Sequence, residues 1–191
     1  MKKSSLLVFI GLLLLTACAP AARPVQAADP RATGQVSFPT PAAPGQTVEF
    51  ATLQVEMRQA ELTAAYPTEF GSQREPPRGE KFLWVQVRLT NTGSQEQKLP
   101  APEHFSALFG TTEFKPGYGH RQNYLDYTAL KPVLYPGQSV EAWLRFEIPV
   151  ALGLKDLQFA FLPESFQIST AFSPGEYPWG EHPIYLWRCE P

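Results

Sequence analysis

The chain has 191 residues and 43% hydrophobic side chains, which is enough to bury a single-domain core. Its 16 basic residues against 18 acidic ones give a formal charge of −2, without the clustered Lys/Arg that a phosphate backbone or an anionic membrane surface requires. Two cysteines are too few for a disulfide framework.

In chain order, Lys2 and Lys3 make a positive start and residues 6–17 follow as a short apolar run without charge. A bilayer-spanning helix needs about 20 apolar residues, so this run reads as a signal peptide rather than an anchor. It closes on "LTAC" (residues 15–18), which resembles the lipobox of bacterial lipoproteins. There the peptide is cut just before the cysteine, whose thiol then carries lipid. The resemblance makes Cys18 the lipidation site and the membrane a partner through its acyl chains. Removing residues 1–17 takes away two basic residues and no acidic ones, so the mature chain carries −4. Cys189 is then left without an intramolecular partner.

Residues 18–46 contain Pro20, Pro24, Pro30, Pro39, Pro41 and Pro44 and no apolar period. Such a segment cannot offset its ordering entropy by burial, and it reads as a Pro/Ala-rich tether.

From Thr47 the pattern becomes strand-like. Leu53, Val55 and Met57 share one face, although residues 55–65 also contain good helix formers; strand is the preferred reading. In "KFLWVQVRLTN" (residues 81–91), Leu83, Val85, Val87 and Leu89 alternate with Trp84, Gln86, Arg88 and Thr90. "HFSALFG" (residues 104–110) places Phe105, Ala107 and Phe109 on one side. "YPGQSVEAWLRFEIP" offers Pro136 and Gly137 for a type II turn. A strand follows with Val140, Ala142, Leu144, Phe146 and Ile148 inward and Glu141, Trp143, Arg145 and Glu147 outward. "LQFAFL" (residues 157–162) and "FQIST" (residues 166–170) read as further strands. Short strands at these intervals, with Gly/Pro turns and no long amphipathic helix, predict an all-β, antiparallel β-sandwich over residues 47–171.

The order "NTGS", "LKPVLYPGQSVE", "KDLQFAF" after an apolar strand resembles a family of exported bacterial immunoglobulin-like (telokin-like) domains. That family includes a mycobacterial immunoprotective secreted antigen and many lipoproteins of unknown function. The resemblance spans about residues 47–162. It implies an immunoglobulin-like sandwich at the extracytoplasmic face of the cell membrane, and it transfers no catalytic residue.

Motifs for chemistry are absent: no G-x-S-x-G, H-E-x-x-H, C-x-x-C or phosphate-binding glycine loop occurs. "GYG" at residues 117–119 has too few glycines for the last of these. His104, His120 and His182 lie far apart, so no metal or other cofactor is expected. Glu103 and His104, adjacent in a strand-like segment, would point to opposite faces and make no dyad.

Two aromatic clusters stand out. Residues 115–137 gather Tyr118, His120, Arg121, Asn123, Tyr124, Tyr127 and Tyr135. Tyr and Arg are interface residues and aromatic rings also stack on sugars, but Tyr equally caps half-buried positions. Residues 172–191 contain Tyr177, Trp179, Ile184, Tyr185, Leu186 and Trp187. Rings so frequent in a terminus should be covered, so this tail is expected to fold back as a strap with residues 184–188 in a short strand. Cys189 beside it reads either as a small covered apolar residue or as an intermolecular disulfide. Together these features point to a non-catalytic, lipid-tethered binding domain facing an envelope protein or glycan. An unrecognised envelope hydrolase is the reading from another class.

Overall fold

The computed structural model describes residues 39–164 and 183–191. Twelve strands run through them: β1 (Thr47–Phe50), β2 (Leu53–Thr63), β3 (Tyr66–Pro67), β4 (Gln73–Arg74), β5 (Glu80–Asn91), β6 (Gln97–Lys98), β7 (Phe105–Phe109), β8 (Thr112–Phe114), β9 (Val133–Leu134), β10 (Ser139–Pro149), β11 (Gln158–Phe161) and β12 (Tyr185–Arg188). Two four-stranded sheets, ordered β1-β2-β5-β10 and β12-β11-β7-β8, form an all-β sandwich; β3-β4 and β6-β9 are two-stranded ribbons.

Alternation makes the core. Leu83, Val85, Val87 and Leu89 of β5 and Ala142, Leu144, Phe146 and Ile148 of β10 point inward against Phe105, Phe159 and Phe161 of the other sheet. Burying each large side chain stabilises the fold by roughly 1.5–3 kcal/mol. The turn into β10 is type II, as its sequence predicts. The amide of Gln138 donates to the carbonyl of Tyr135 at 3.0 Å, and Gly137 takes φ +73°. Fully buried Asn91 ties this turn to the one after β5: its Nδ2 donates to the carbonyls of Gln95 (2.7 Å) and Leu134 (3.0 Å).

β2 is a strand along its length, with a bulge at Arg58, where the pairing steps from Met57–Val87 to Gln59–Gln86. Because side chains alternate with period two, the extra residue exchanges faces. Leu53, Val55 and Met57 point inward before the bulge, and Ala60 and Leu62 pack on the core after it. Glu61 and Thr63 are thereby delivered to the outer face.

Several sequence expectations are corrected. Arg145 points outward from its sheet but is only 6% exposed, and Trp84 is fully buried. A loop covers that outer face, as described below. Residues 102–104 form a 3-10 turn, so His104 precedes the strand, and Phe109 at the end of β7 is half exposed. The folded part begins before Thr47. Ala42 is buried, its amide donates to the Leu186 carbonyl (2.8 Å), and its carbonyl accepts from Arg188 (2.9 Å). The last residues read as tether therefore pair in parallel with β12. The strand expected at residues 166–170 lies outside the described residues.

Of the segment expected to return, Tyr185–Arg188 forms an edge strand on β11. Trp187 is fully buried, its Nε1 donating to the Gln46 carbonyl at 2.8 Å, and the Tyr185 hydroxyl donates to the Glu49 carbonyl at 3.0 Å. Cys189 is buried and free, and burial pushes its thiol up to about 12. In this fold it is the small covered residue.

Candidate functional site

The outer face of the β1-β2-β5-β10 sheet carries a second apolar layer, made of Tyr66, Phe82, Trp84 and Trp143 with Tyr124 packed against it. Tyr66 meets Phe82 and Trp84 edge-on at 5.0 and 4.9 Å, and Tyr124 stacks on Trp143 at 4.1 Å. The Trp84 Nε1 finds its acceptor in Thr63 Oγ1 at 3.2 Å, a residue the bulge in β2 turns to this side.

The covering loop, residues 115–127, is sewn down on two sides. Along the free edge of β10, Gly117 donates to the Arg145 carbonyl (2.7 Å) and Trp143 donates to the Leu125 carbonyl (2.8 Å). Against the β3–β4 ribbon, the Glu69 amide donates to the His120 carbonyl (3.2 Å) and the Gln122 amide to the Pro67 carbonyl (3.0 Å). Inside the loop, buried Asp126 accepts from the amides of Gly119 (2.9 Å) and Thr128 (2.7 Å). The glycines at 117 and 119 have a steric reason. A Cβ on Gly117 would lie 2.5 Å from Arg145 Nη2, and one on Gly119 would lie 2.8 Å from Arg145 Cδ and 3.1 Å from Trp84.

On this base the structure brings together Tyr118, His120, Arg121 and Tyr124 from the first aromatic cluster. Arg121 pairs with Glu61 and lies over the Tyr124 ring, Cζ 4.0 Å from its centroid. The Tyr124 hydroxyl donates to the same carboxylate at 2.9 Å, and burial, foremost, raises its pKa. Outside this clamp, His120 Nδ1 lies 3.1 Å from Glu69 Oε1 while its Nε2 is hydrogen-bonded to the Tyr118 hydroxyl. Phe70, 79% exposed, and Tyr118, 61% exposed, both meet the His120 ring edge-on. The result is an exposed aromatic surface on a packed, hydrogen-bonded base.

The other sequence candidates fall elsewhere. Tyr127 is buried against Phe105 with its hydroxyl on the Pro100 carbonyl (2.8 Å), and burial raises its pKa strongly. Tyr185 and Trp187 are core residues. These three rings have no free face to offer a ligand, because packing of the sandwich uses them. Tyr135 sits in the turn before β10. Cys18 and Trp179 lie outside the described residues. Sequence reasoning missed Phe70 and Glu61, which stand far from the loop along the chain. The available signal was Phe82, Trp84 and Trp143 at positions where alternation left the sheet's outer face, too much apolar surface to stay in water.

At the start of β7, Ser106, Glu113 and Lys115 hold one another. Fully buried Ser106 donates to Glu113 Oε1 (2.6 Å) and accepts from Lys115 Nζ (3.1 Å), itself 2.6 Å from Glu113 Oε1. Burial lowers the pKa of His104. Among the described residues, no group of three or more His, Cys, Asp or Glu side chains is arranged to hold a metal ion.

None of the curated proteins matches the chain. Among solved structures, it is similar to the yjhA protein of Bacillus subtilis: 14% identity, 77% of this chain and 98% of that one, TM-score 0.52. It is also similar to MPT63, a secreted protein of Mycobacterium tuberculosis: 10% identity, 80% and 98% coverage, TM-score 0.50. A functionally unknown protein of Listeria monocytogenes matches at 11% identity, 78% and 83% coverage, TM-score 0.48. At these identities the likeness concerns the fold. A family model covers residues 42–167, about two thirds of the sequence, and the chain belongs to that family, the domain of unknown function DUF4352.

Proposed function

We propose that the protein is a lipid-anchored, extracytoplasmic and non-catalytic binding module, and that it meets its partner in the cell envelope through Phe70, Tyr118 and His120. The observation that carries this reading is the exposure of Phe70 and Tyr118 on a base that does not let them fold away. Large rings held in water on a rigid support are the usual anchors of a binding surface. Arg121 and Glu61, partly exposed beside them, supply charge at the rim. The lipobox-like residues 15–18 support the anchor, and the secreted mycobacterial protein of similar fold supports the location. A sugar partner is the second reading, favoured by the same exposed ring faces.

A photo-cross-linking amino acid placed at Tyr118 in intact cells tests the binding surface, with the same label at exposed Tyr135 as control. A discrete adduct at 118, absent at 135 and weakened by Phe70→Ala, is expected. Sensitivity of that adduct to glycosidases rather than proteases would identify a glycan. In the same cells a clickable fatty acid should label the wild type and not Cys18→Ser. Identical adducts at both positions would overturn the surface, and equal labelling would overturn the anchor.

A further inference from the structure

At the start of the covering loop, a cleft of about 320 Å³ opens where the edge of β10 approaches β8 of the other sheet. Glu80, Glu113, Lys115, Gly117, Arg145 and Glu147 line it. That volume lies near the lower end of small-molecule sites, which begin at about 300 Å³. It suits a ligand of amino-acid size.

Arg145 forms the wall of this cleft and is more than nine-tenths buried. Its guanidinium packs over the Phe82 ring, Cζ 5.0 Å from the centroid. Neither Nε nor Nη1 has a hydrogen-bond partner. Nη1 lies 3.2 Å from Glu147 Oε1, near enough for an ion pair but without hydrogen-bond alignment. Buried donors are paired in nearly all proteins, and a guanidinium left this way calls for an acceptor from outside the chain. Gly117 carries no Cβ, which would stand 2.5 Å from Nη2, so the guanidinium itself fills the space against the loop backbone.

Charge narrows the ligand. Lys115 is held by Glu113 at 2.6 Å, Glu147 faces Arg145, and Glu80 adds a further negative charge. A simple anion would meet three carboxylates. A simple cation would leave the donors of Arg145 as they are. A molecule with both charges answers both faces of the cleft. We propose that the cleft binds a small zwitterion of the α-amino-acid class. Its carboxylate takes Arg145 Nη1 in place of Glu147, and its ammonium lies between the displaced Glu147 and Glu80. Phe70, Tyr118 and His120 do not line this cleft, and it stands whether or not the aromatic surface binds an envelope partner.

The test titrates the isotope-labelled protein (residues 19–191) with L-alanine, following the Arg145 Nε–H resonance, assigned by its loss in Arg145→Met. Acetate and methylammonium serve as the two half-ligands. A saturable shift with alanine is expected, with each half-ligand at least about tenfold weaker. Glu80→Gln, which leaves the Arg145 packing in place, should weaken alanine binding by about threefold to tenfold. Absence of a saturable shift, acetate binding as tightly as alanine, or unchanged affinity in Glu80→Gln would each overturn the proposal.

Discussion

Arg145 sits between two inward-facing residues of β10, Leu144 and Phe146, and strand geometry alone would send its side chain to water. The guanidinium instead lies under Gly117 and Gly119 and over Phe82. Its stem and flat face act as packing surface, as arginine can where its charge keeps a neighbouring carboxylate. An outward Arg on an exposed strand would tolerate alanine to within about 0.5 kcal/mol. The buried position changes the expectation: Arg145→Ala should cost about 1–3 kcal/mol, through lost packing and an unpaired Glu147. Leu144→Ala, in the central core, should cost about 2–5 kcal/mol. Urea midpoints of the two variants measure both, and an Arg145→Ala midpoint equal to wild type would show that the loop does not hold this face closed. The inward member of the pair was legible from alternation. The outward one was not, because alternation specifies a direction and not what lies in that direction.

At the level of elements, the C-terminal strand is the clearest addition to the family domain, which ends at residue 167 while β12 spans Tyr185–Arg188. β12 closes the edge of β11 and Ala42 bridges its outer side at Trp187, which covers part of the new edge. Trp187 anchors it, stacked obliquely near Phe159 at 5.8 Å. Trp187→Ala should cost about 3–5 kcal/mol and lower the melting temperature in proportion. Removal of residues 184–191 should go further, exposing dye-binding surface. If that truncated protein melts where the full chain does, β12 is not part of the cooperative unit. The return of the tail was readable from the density of rings in a terminus. The pairing of Ala42 with it was not, since the proline-rich segment shows no apolar period and Ala42 meets β12 through backbone hydrogen bonds, which leave no mark in the sequence. The bulge at Arg58 escaped for a related reason. It changes which residues face inward without any glycine or proline to mark it.

For the molecule as a whole, burial of neutral acids makes the fold sensitive to alkali. Burial pushes the Cys189 thiol from its ordinary 9.0 up to about 12, so its contribution is complete below pH 9. Between pH 9 and 12 the unfolded chain releases a proton that the folded chain keeps, and stability falls by up to about 1.4 kcal/mol per pH unit for one such group. Tyr127 and Tyr185, raised by burial, add the same sign above pH 10. Urea midpoints should therefore decline from about pH 9 upward, the first part of the decline disappearing in Cys189→Ala. A profile flat to pH 11 would contradict the sealed position of the thiol. What the sequence determined by itself was local: the alternation of β5 and β10, the turn at residues 135–138, and the apolar character of the tail. Period-two patterns and turn chemistry belong to contiguous residues, so they can be read along the chain. Only the tertiary structure decided that one sheet is covered on both faces, that Tyr127 and Trp187 are core while Tyr118 and Phe70 are surface, and that Arg121 meets Glu61. That last pair is separated by 60 positions, and side chains so distant in sequence become neighbours only when the packing of both sheets is complete.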